Sequence, residues 1–379
     1  MGERQPVVDE LGSRWPRYEE AVLGYRHYWY PVLESRKLRK RPHPLTLLGE
    51  KIVLVRDGGK VYALNDRCLH RGIPLSMGRR EFPGSITCCY HGWTYDLASG
   101  EVVAALTDGP DSAVCGRPGL RVRTYPVEER AGLIWIYVGD EPRLPVEEDI
   151  PESLLRPDAV VEPMVDLRDG NWRYAMENAV DDAHAKCLHR YNLWFFFTRL
   201  PGYGTGARMT PTDDGKWLRR VSTPEFRPAD YPGLGKWPKY GFWRWRGRRV
   251  KADKGTGSNI LGGACLPGIF SVGHENWEDF QIFVPVDEDR HLMLQVSVRH
   301  TRGLGALLWR LRYWTYIRLI HHIMFNRWED GRVVPVMSEP EHLFRPDMAI
   351  VHWRQWCHEN ARRSPAEAAS VRPAELEAG

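Results

Sequence analysis

In the first third of the chain the apolar residues come in short runs: 27–33, 45–56, 60–64, 85–95, 101–106 and 132–138. Each run is rich in Val, Ile, Leu, Tyr or Trp and is closed by Gly, Pro, Asn or Asp, which predicts antiparallel strands joined by tight turns. Asp57-Gly58-Gly59 reads as a hairpin turn. An antiparallel β domain over roughly 26–140 follows. Before it, 13–22 reads as a short helix entry, with Ser13 as N-cap and Glu19 and Glu20 near its first turns. After it, 141–157 (EPRLPVEEDIPESLLRP) is rich in Pro and acids and reads as a linker. Strand-like runs then recur at 160–165, 217–221, 242–250, 280–286 and 291–298, bracketed by helical spacing at 171–190 and 306–326. This is the pattern of an α+β domain with a mostly antiparallel sheet. The tail from Asn360 is rich in Ala, Pro and Glu and is expected to fray.

Composition narrows this only slightly. A chain of 379 residues suits two domains, and 42% hydrophobic with 27% charged residues is ordinary for a globular protein. A net charge of +4 gives no ground for a nucleic-acid partner. The apolar stretch 307–325 is interrupted by Arg310, Arg312 and Arg318, so no membrane span is expected. The N-terminus has no apolar core of a signal peptide, and Pro6 breaks a myristoylation pattern. Seven cysteines at irregular spacing, with Cys115, Cys187, Cys265 and Cys357 scattered, suit reduced thiols and a cytoplasmic location.

The candidate chemistry begins in two of the predicted turns. Cys68-Leu-His70 is followed by Cys88-Cys89-Tyr90-His91, so each loop offers one thiolate and one imidazole. A Rieske [2Fe-2S] cluster needs two Cys on one iron and two His on the other. Common zinc modules instead give a Cys pair and then a His pair, and structural zinc is the competing reading. Cys89 is spare, because only Cys88 has the C-x-x-H spacing to His91.

A second group lies at Asn178-x-x-Asp181-x-x-His184-x-x-x-x-His189. Two His and one carboxylate hold Fe(II) with positions left open for oxygen. On a regular helix positions five apart point about 140° from each other, so His184 and His189 converge only if the helix ends or bulges between them. Asp181 is expected to share a helical face with His184. The competing reading is an amphipathic helix with two ordinary histidines. The carboxylate must come from elsewhere, and Asp330, its neighbour Glu329, and Asp347 are the candidates.

The segments LGYRHYWYPV, DRCLHRGIPLS, CCYHGWTY, YPVEERAGLIWIYVGD, NWRYAMENAVDDAH and IVHWRQW resemble the terminal oxygenase component of Rieske non-haem iron ring-hydroxylating oxygenases, in particular the carbazole dioxygenase-like branch. The match is spread over most of the chain and is weakest over 190–280. In one respect the chain departs from the carbazole pattern: it has one more residue between the two histidines. The resemblance implies a Rieske domain at 26–145 and a helix-grip-like α+β catalytic domain with mononuclear iron at 146–360. An N-terminal helix (1–25) would pack on the latter, and a flexible tail would occupy 361–379. It further implies that Cys68, His70, Cys88 and His91 hold the cluster. Fe(II) would be held by His184, His189 and, among the three acids, Asp330. Electrons would come from NAD(P)H through a ferredoxin or flavin reductase, O₂ would be co-substrate, and the assembly would be a homotrimer. Asp181, with Asn178 beside it in the motif, would be catalytic. The Asp181 carboxylate would bridge His184 to His70 or His91 of a neighbouring chain. The implied reaction is hydroxylation of a small aromatic or polycyclic apolar substrate, with oxidative O- or N-demethylation as the alternative.

Pocket candidates are Ala179 and Val180 beside the motif, Trp194 and Phe195 in the aromatic run after His189, and Ile269, Phe270 and Phe325; core packing is the competing reading for the aromatic run. The alternation Phe242-Trp-Arg-Trp-Arg reads as a half-buried strand with a solvated basic face rather than a nucleic-acid surface. The basic run 36–41 either steers an acidic ferredoxin or is a solvated loop. Two other classes compete with an enzyme: a Rieske electron carrier, which has no need of the second domain or its N-x-x-D-x-x-H motif, and a zinc-stabilised binding protein, which would be colourless.

Overall fold

The structure is a computed structural model that describes residues 15–181, 183–184, 187–189, 192–194, 208–221, 262–274 and 276–364. Phe195 and the 242–250 run lie outside them. The chain divides into two compact units. One comprises Leu23–Pro157 with Val284–Glu288 and the chain from Arg362; the other comprises the N-terminus to Val22, Asp158–Phe283 and Asp289–Ala361.

The first unit is built from three small antiparallel sheets. Tyr28–Glu34, Leu133–Val138 and Val127–Arg130 form one; His43–Leu47, Glu50–Asp57, Lys60–Asn65 and Thr124–Tyr125 form the second; Ser85–Thr87, Trp93–Asp96 and Val102–Ala105 form the third. Two predicted strands are each divided. The 45–56 run is cut by a turn at Leu48 and Gly49, both at positive φ. The 85–95 run opens between Thr87 and Trp93 into one of the metal-ligand loops. The 141–157 stretch is packed rather than extended: Val146, Ile150 and Leu154 are buried, and Asp149 accepts from the backbone of Trp29 and from Arg362. Proline and acids mark turns here, but the apolar residues between them still find a core.

The second unit carries a seven-stranded sheet in the order Ala159–Asp169, Arg290–His300, Trp277–Pro285, Ile269–His274, Gly263–Cys265, Leu218–Val221, Arg208–Pro211. The short strands 208–211 and 263–265 have no sequence signal strong enough to predict them. Three helices matter to the site: α1, Trp172–Val180; α2, Leu304–Arg312, which continues as a wide-turned π segment, Tyr313–Asp330; and α3, Met348–Asn360. The predicted helix over 171–190 ends at Val180, because Asp181 is extended and its carboxylate caps the turn that follows. Asp181 therefore does not share a helical face with His184. The helix expected to end near Phe325 runs on, and Asp330 sits in its last turn.

A buried ionic group fastens α1. Arg354 on α3 makes a two-pronged contact to Glu177, at 2.7 and 2.9 Å, and Tyr18 donates to the same carboxylate at 2.6 Å. Asn171 caps the helix by accepting from the Arg173 amide. The start of the helix is further tied down by the Trp172 indole, which donates to Ala21.

Candidate metal centres

The two loops that carry Cys68 and Cys88 fold alike. Each Cys amide donates to the carbonyl five residues on, Ile73 or Trp93, and each Cys carbonyl accepts from a Gly amide four residues on, Gly72 or Gly92. Both glycines have positive φ, and a Cβ on Gly92 would meet Leu106 at 2.8 Å. The loops turn both cysteines inward, where they belong to the core with Val53, Leu64, Leu75, Ile86 and Tyr95. His70 and His91 stand outward with ring centroids 4.6 Å apart, while Cys89 is exposed.

This arrangement fits a two-Cys, two-His cluster. Burial, and the neighbouring Cys68, push the Cys88 thiol above its usual value, so two thiolates here call for a compensating positive charge. Nδ1 of His91 is buried without a hydrogen-bond partner. The Tyr95 hydroxyl lies 3.2 Å from the Cys68 sulfur and accepts from the Leu69 amide. In the same unit, a cleft lined by Lys37, Arg39, Lys40, Arg41, Arg56 and Arg80 gathers residues of the basic 36–41 loop, with Arg56 paired to Glu129 and Arg80 to Asp57.

In the other unit, the turn after α1 brings His184 and His189 together, ring centroids 5.1 Å apart. Asp330 Oδ1 lies 3.0 Å from His189 Nε2 and 3.6 Å from His184 Nε2. The far side of each imidazole faces another carboxylate. His189 Nδ1 is 2.6 Å from Glu329 Oε2, and His184 Nδ1 is 3.3 Å from Asp181 Oδ2. Protons on those two Nδ1 atoms leave the Nε2 lone pairs pointing at Asp330 Oδ1, itself a buried acceptor with no hydrogen-bond partner. Lone pairs facing lone pairs repel unless a cation lies between them. Ligands about 2.1 Å from a metal stand roughly 3 Å or more from one another, as these atoms do.

The electrostatics agree. Burial works against a charged His184, but Asp181 and Asp330 outweigh it and hold its pKa above the ordinary imidazole value. Asp181 is held below the usual carboxylate range: its burial is offset by His184 and by the amides of Ala183 and His184. The pocket is thus negative and prepared for positive charge.

Of the three acids weighed from the sequence, Asp330 points into the triad and Glu329 orients His189, with Asn192 donating to its other oxygen at 2.8 Å. Asp347 does neither. It accepts from the Phe344 amide at the start of α3, and burial together with Asp181 and Glu341 pushes it up to about 6. Sequence reasoning missed the orienting role of Glu329; the adjacent acid pair was its one signal.

The pocket candidates separate. Phe325 stacks on His189 at 3.8 Å. Asn178 and Val180 are buried on α1, and Ala179 is half-buried. Ile269 and Phe270 are buried on a sheet strand. Trp194 packs into the core with Trp277, Trp309 and Tyr313, edge-on to Trp277, so core packing accounts for it. Another buried group, Asp279 with His321 and His322, is partly self-paired: Asp279 Oδ1 takes the Ser297 hydroxyl at 2.7 Å and His322 Nε2 at 3.1 Å.

With this geometry in hand, comparison with known proteins is direct. Residues 28–126 match the Rieske [2Fe-2S] domain model, and 137–206 match that of the homotrimeric ring hydroxylases. The terminal oxygenase component of carbazole 1,9a-dioxygenase from a Sphingomonas species is 34% identical over 380 residues, covering 92% of this chain and 96% of that one. The oxygenase subunit of 5,5'-dehydrodivanillate O-demethylase from Sphingobium sp. (strain NBRC 103272 / SYK-6) is 30% identical, covering 73% of this chain and 58% of its own. Among solved structures, the reduced complex between oxygenase and ferredoxin in carbazole 1,9a-dioxygenase superposes with a TM-score of 0.77 at 27% identity, covering 96% of both chains.

Proposed function

The chain belongs to the Rieske ring-hydroxylating oxygenases, as a terminal oxygenase component, and on that premise we propose that it hydroxylates a small aromatic or polycyclic apolar substrate with electrons from a ferredoxin. The observation that carries the reading is the convergence of His184, His189 and Asp330 on one cation-sized space. Cys68, His70, Cys88 and His91 would hold the [2Fe-2S] cluster, and His184, His189 and Asp330 the mononuclear iron. When bound, the cluster passes single electrons and the iron activates O₂.

The chain's own residues prepare that chemistry. Glu329 accepts a hydrogen bond from Nδ1–H of His189 and so keeps the Nε2 lone pair directed at the iron site. The Asp181 carboxylate stands 3.3 Å from His184 Nδ1 and is proposed to favour a proton there in the same way. Phe325 lies flat on His189 and shields that ligand from water. In a homotrimer, Asp181 is the carboxylate proposed to reach a cluster histidine of a neighbouring chain. Asn178, buried on α1 three residues earlier, is proposed as a second catalytic residue. The basic cleft around 36–43 is proposed to steer the ferredoxin. No helix among the described residues is long and apolar enough to cross a membrane, and the scattered cysteines outside the cluster loops suit a reducing cytoplasm.

Oxidative O-demethylation is the second reading, favoured by the likeness to the O-demethylase subunit. One experiment separates them. The iron-loaded protein, a surrogate ferredoxin and its reductase are given aromatic, heterocyclic, steroid and methyl-ether substrates under ¹⁸O₂. Hydroxylation gives labelled product, and demethylation gives formaldehyde with the free phenol or alcohol. Absence of a visible cluster spectrum in the purified protein overturns the whole reading.

A further inference from the structure

The outer face of α2 is apolar where a surface helix should be polar. Leu304, Leu307, Leu308 and Leu311 are 71, 63, 57 and 60% exposed. At 100° per residue they fall within an arc of about 100°. Trp314 and Leu319 extend the apolar surface along the π segment, both nearly half exposed. The opposite face is the buried one, with Trp309, Tyr313 and Ile317 in the core. The exposed leucines are therefore surplus to the fold of this chain. A contiguous apolar patch of this kind marks an interaction surface.

The charges around it indicate what covers it. Arg310 and Arg312 project on either side of the leucine stripe, and both are exposed. Arg318 lies over the Trp314 ring at 4.9 Å. Arg302 precedes the helix and is exposed. No Asp or Glu occurs between Asp289 and Glu329. From outside this stretch, Glu162 reaches Arg310, at 3.3 Å, leaving that guanidinium still 60% exposed. Leucines and a tryptophan on the outer face, rimmed by arginines, are the composition of a helix that lies in a membrane interface. A second copy apposing the same face about a twofold axis would set arginine against arginine. An anionic lipid surface takes up both the leucines and the arginines.

We propose that α2 and the first turns of its π segment dock the protein, without spanning, on an anionic lipid surface. The leucines enter the headgroup–acyl boundary and the arginines meet lipid phosphates. Each arginine close to such a surface contributes about fivefold in partitioning.

The test uses the full chain with both metal centres loaded and sucrose-filled vesicles. Wild type is expected to sediment with phosphatidylcholine vesicles containing phosphatidylglycerol at least tenfold better than with phosphatidylcholine alone, and to be released by high salt. Leu307→Ser with Leu311→Ser is expected to lose tenfold or more, and Arg312→Gln about fivefold. An unchanged cluster spectrum verifies that these exposed substitutions leave the fold intact. Wild type that does not sediment with the anionic vesicles overturns the proposal. So does a leucine double variant that binds as well as wild type. A third overturning result is a double variant whose assembly size on gel filtration falls, which would show that a second copy covers the face.

Discussion

Glu329 Oε2 stands 2.6 Å from Nδ1 of His189, while the next residue, Asp330, faces the same ring's Nε2 at 3.0 Å. Two consecutive acids at the end of one helix thus grip opposite edges of a fully buried imidazole. One fixes its proton and the other shares its lone pair's target.

Removing the outer grip is expected to loosen the iron. Glu329→Ala should lower iron affinity about 10–100-fold, the usual cost of losing a ligand's orienting partner. Iron content after dialysis against a graded chelator measures this, with the cluster's visible spectrum as internal control. Iron retention equal to wild type would show that Glu329 does not orient His189.

Asp181→Asn is expected to keep both metal centres and lose most coupled turnover. Asparagine preserves an acceptor for the Ala183 amide but withdraws the charge beside His184. Metal analysis and substrate-dependent oxygen uptake together are decisive. Normal coupled activity would refute a role for this carboxylate in electron delivery.

The Tyr95 hydroxyl, 3.2 Å from the Cys68 sulfur, should raise the cluster's reduction potential, because a donor at sulfur favours the more negative, reduced form. Tyr95→Phe is expected to lower it by on the order of 50 mV, the equivalent of one hydrogen bond in a one-electron couple. A spectroscopic redox titration reads the shift.

Asp279 is fully buried, a position that would raise its pKa, but His322, His321 and Ser297 outweigh this and hold it down to about 2. A carboxylate depressed in the folded state contributes stability above its unfolded value near 4, and loses it as pH falls through about 2. Asp279→Asn should therefore destabilise the protein by about 3 kcal/mol at pH 7. The gap should narrow below pH 4. Denaturant melts at pH 7 and pH 3 test both statements; equal losses at the two pH values would exclude the charge as the cause.

Local chemistry wrote much of this into the sequence. Cys68, His70, Cys88 and His91 are legible as candidate ligands because each loop packs its Cys, its His and its positive-φ glycine into five consecutive residues. The strand runs of the first unit are legible because their turns are marked by Gly, Pro, Asn and Asp. The five-residue gap from His184 to His189 called for a helix end or bulge between them; the structure ends α1 earlier, at Val180, before either histidine.

What the sequence alone determined was therefore the set of ligand types, the strands beside them and the need for a distant carboxylate. Only the tertiary structure shows which of the candidate acids stands beside both histidines. Glu329, Asp330 and Asp347 are chemically alike in the sequence. The π segment carries the first two on to His189, while the turn at Phe344 keeps the third outside the triad. Tertiary packing also decided that Trp194 belongs to the core and that the leucines of α2 do not. Hydrophobicity says that a residue prefers to be covered, but only the position of the neighbouring elements says whether the chain itself covers it.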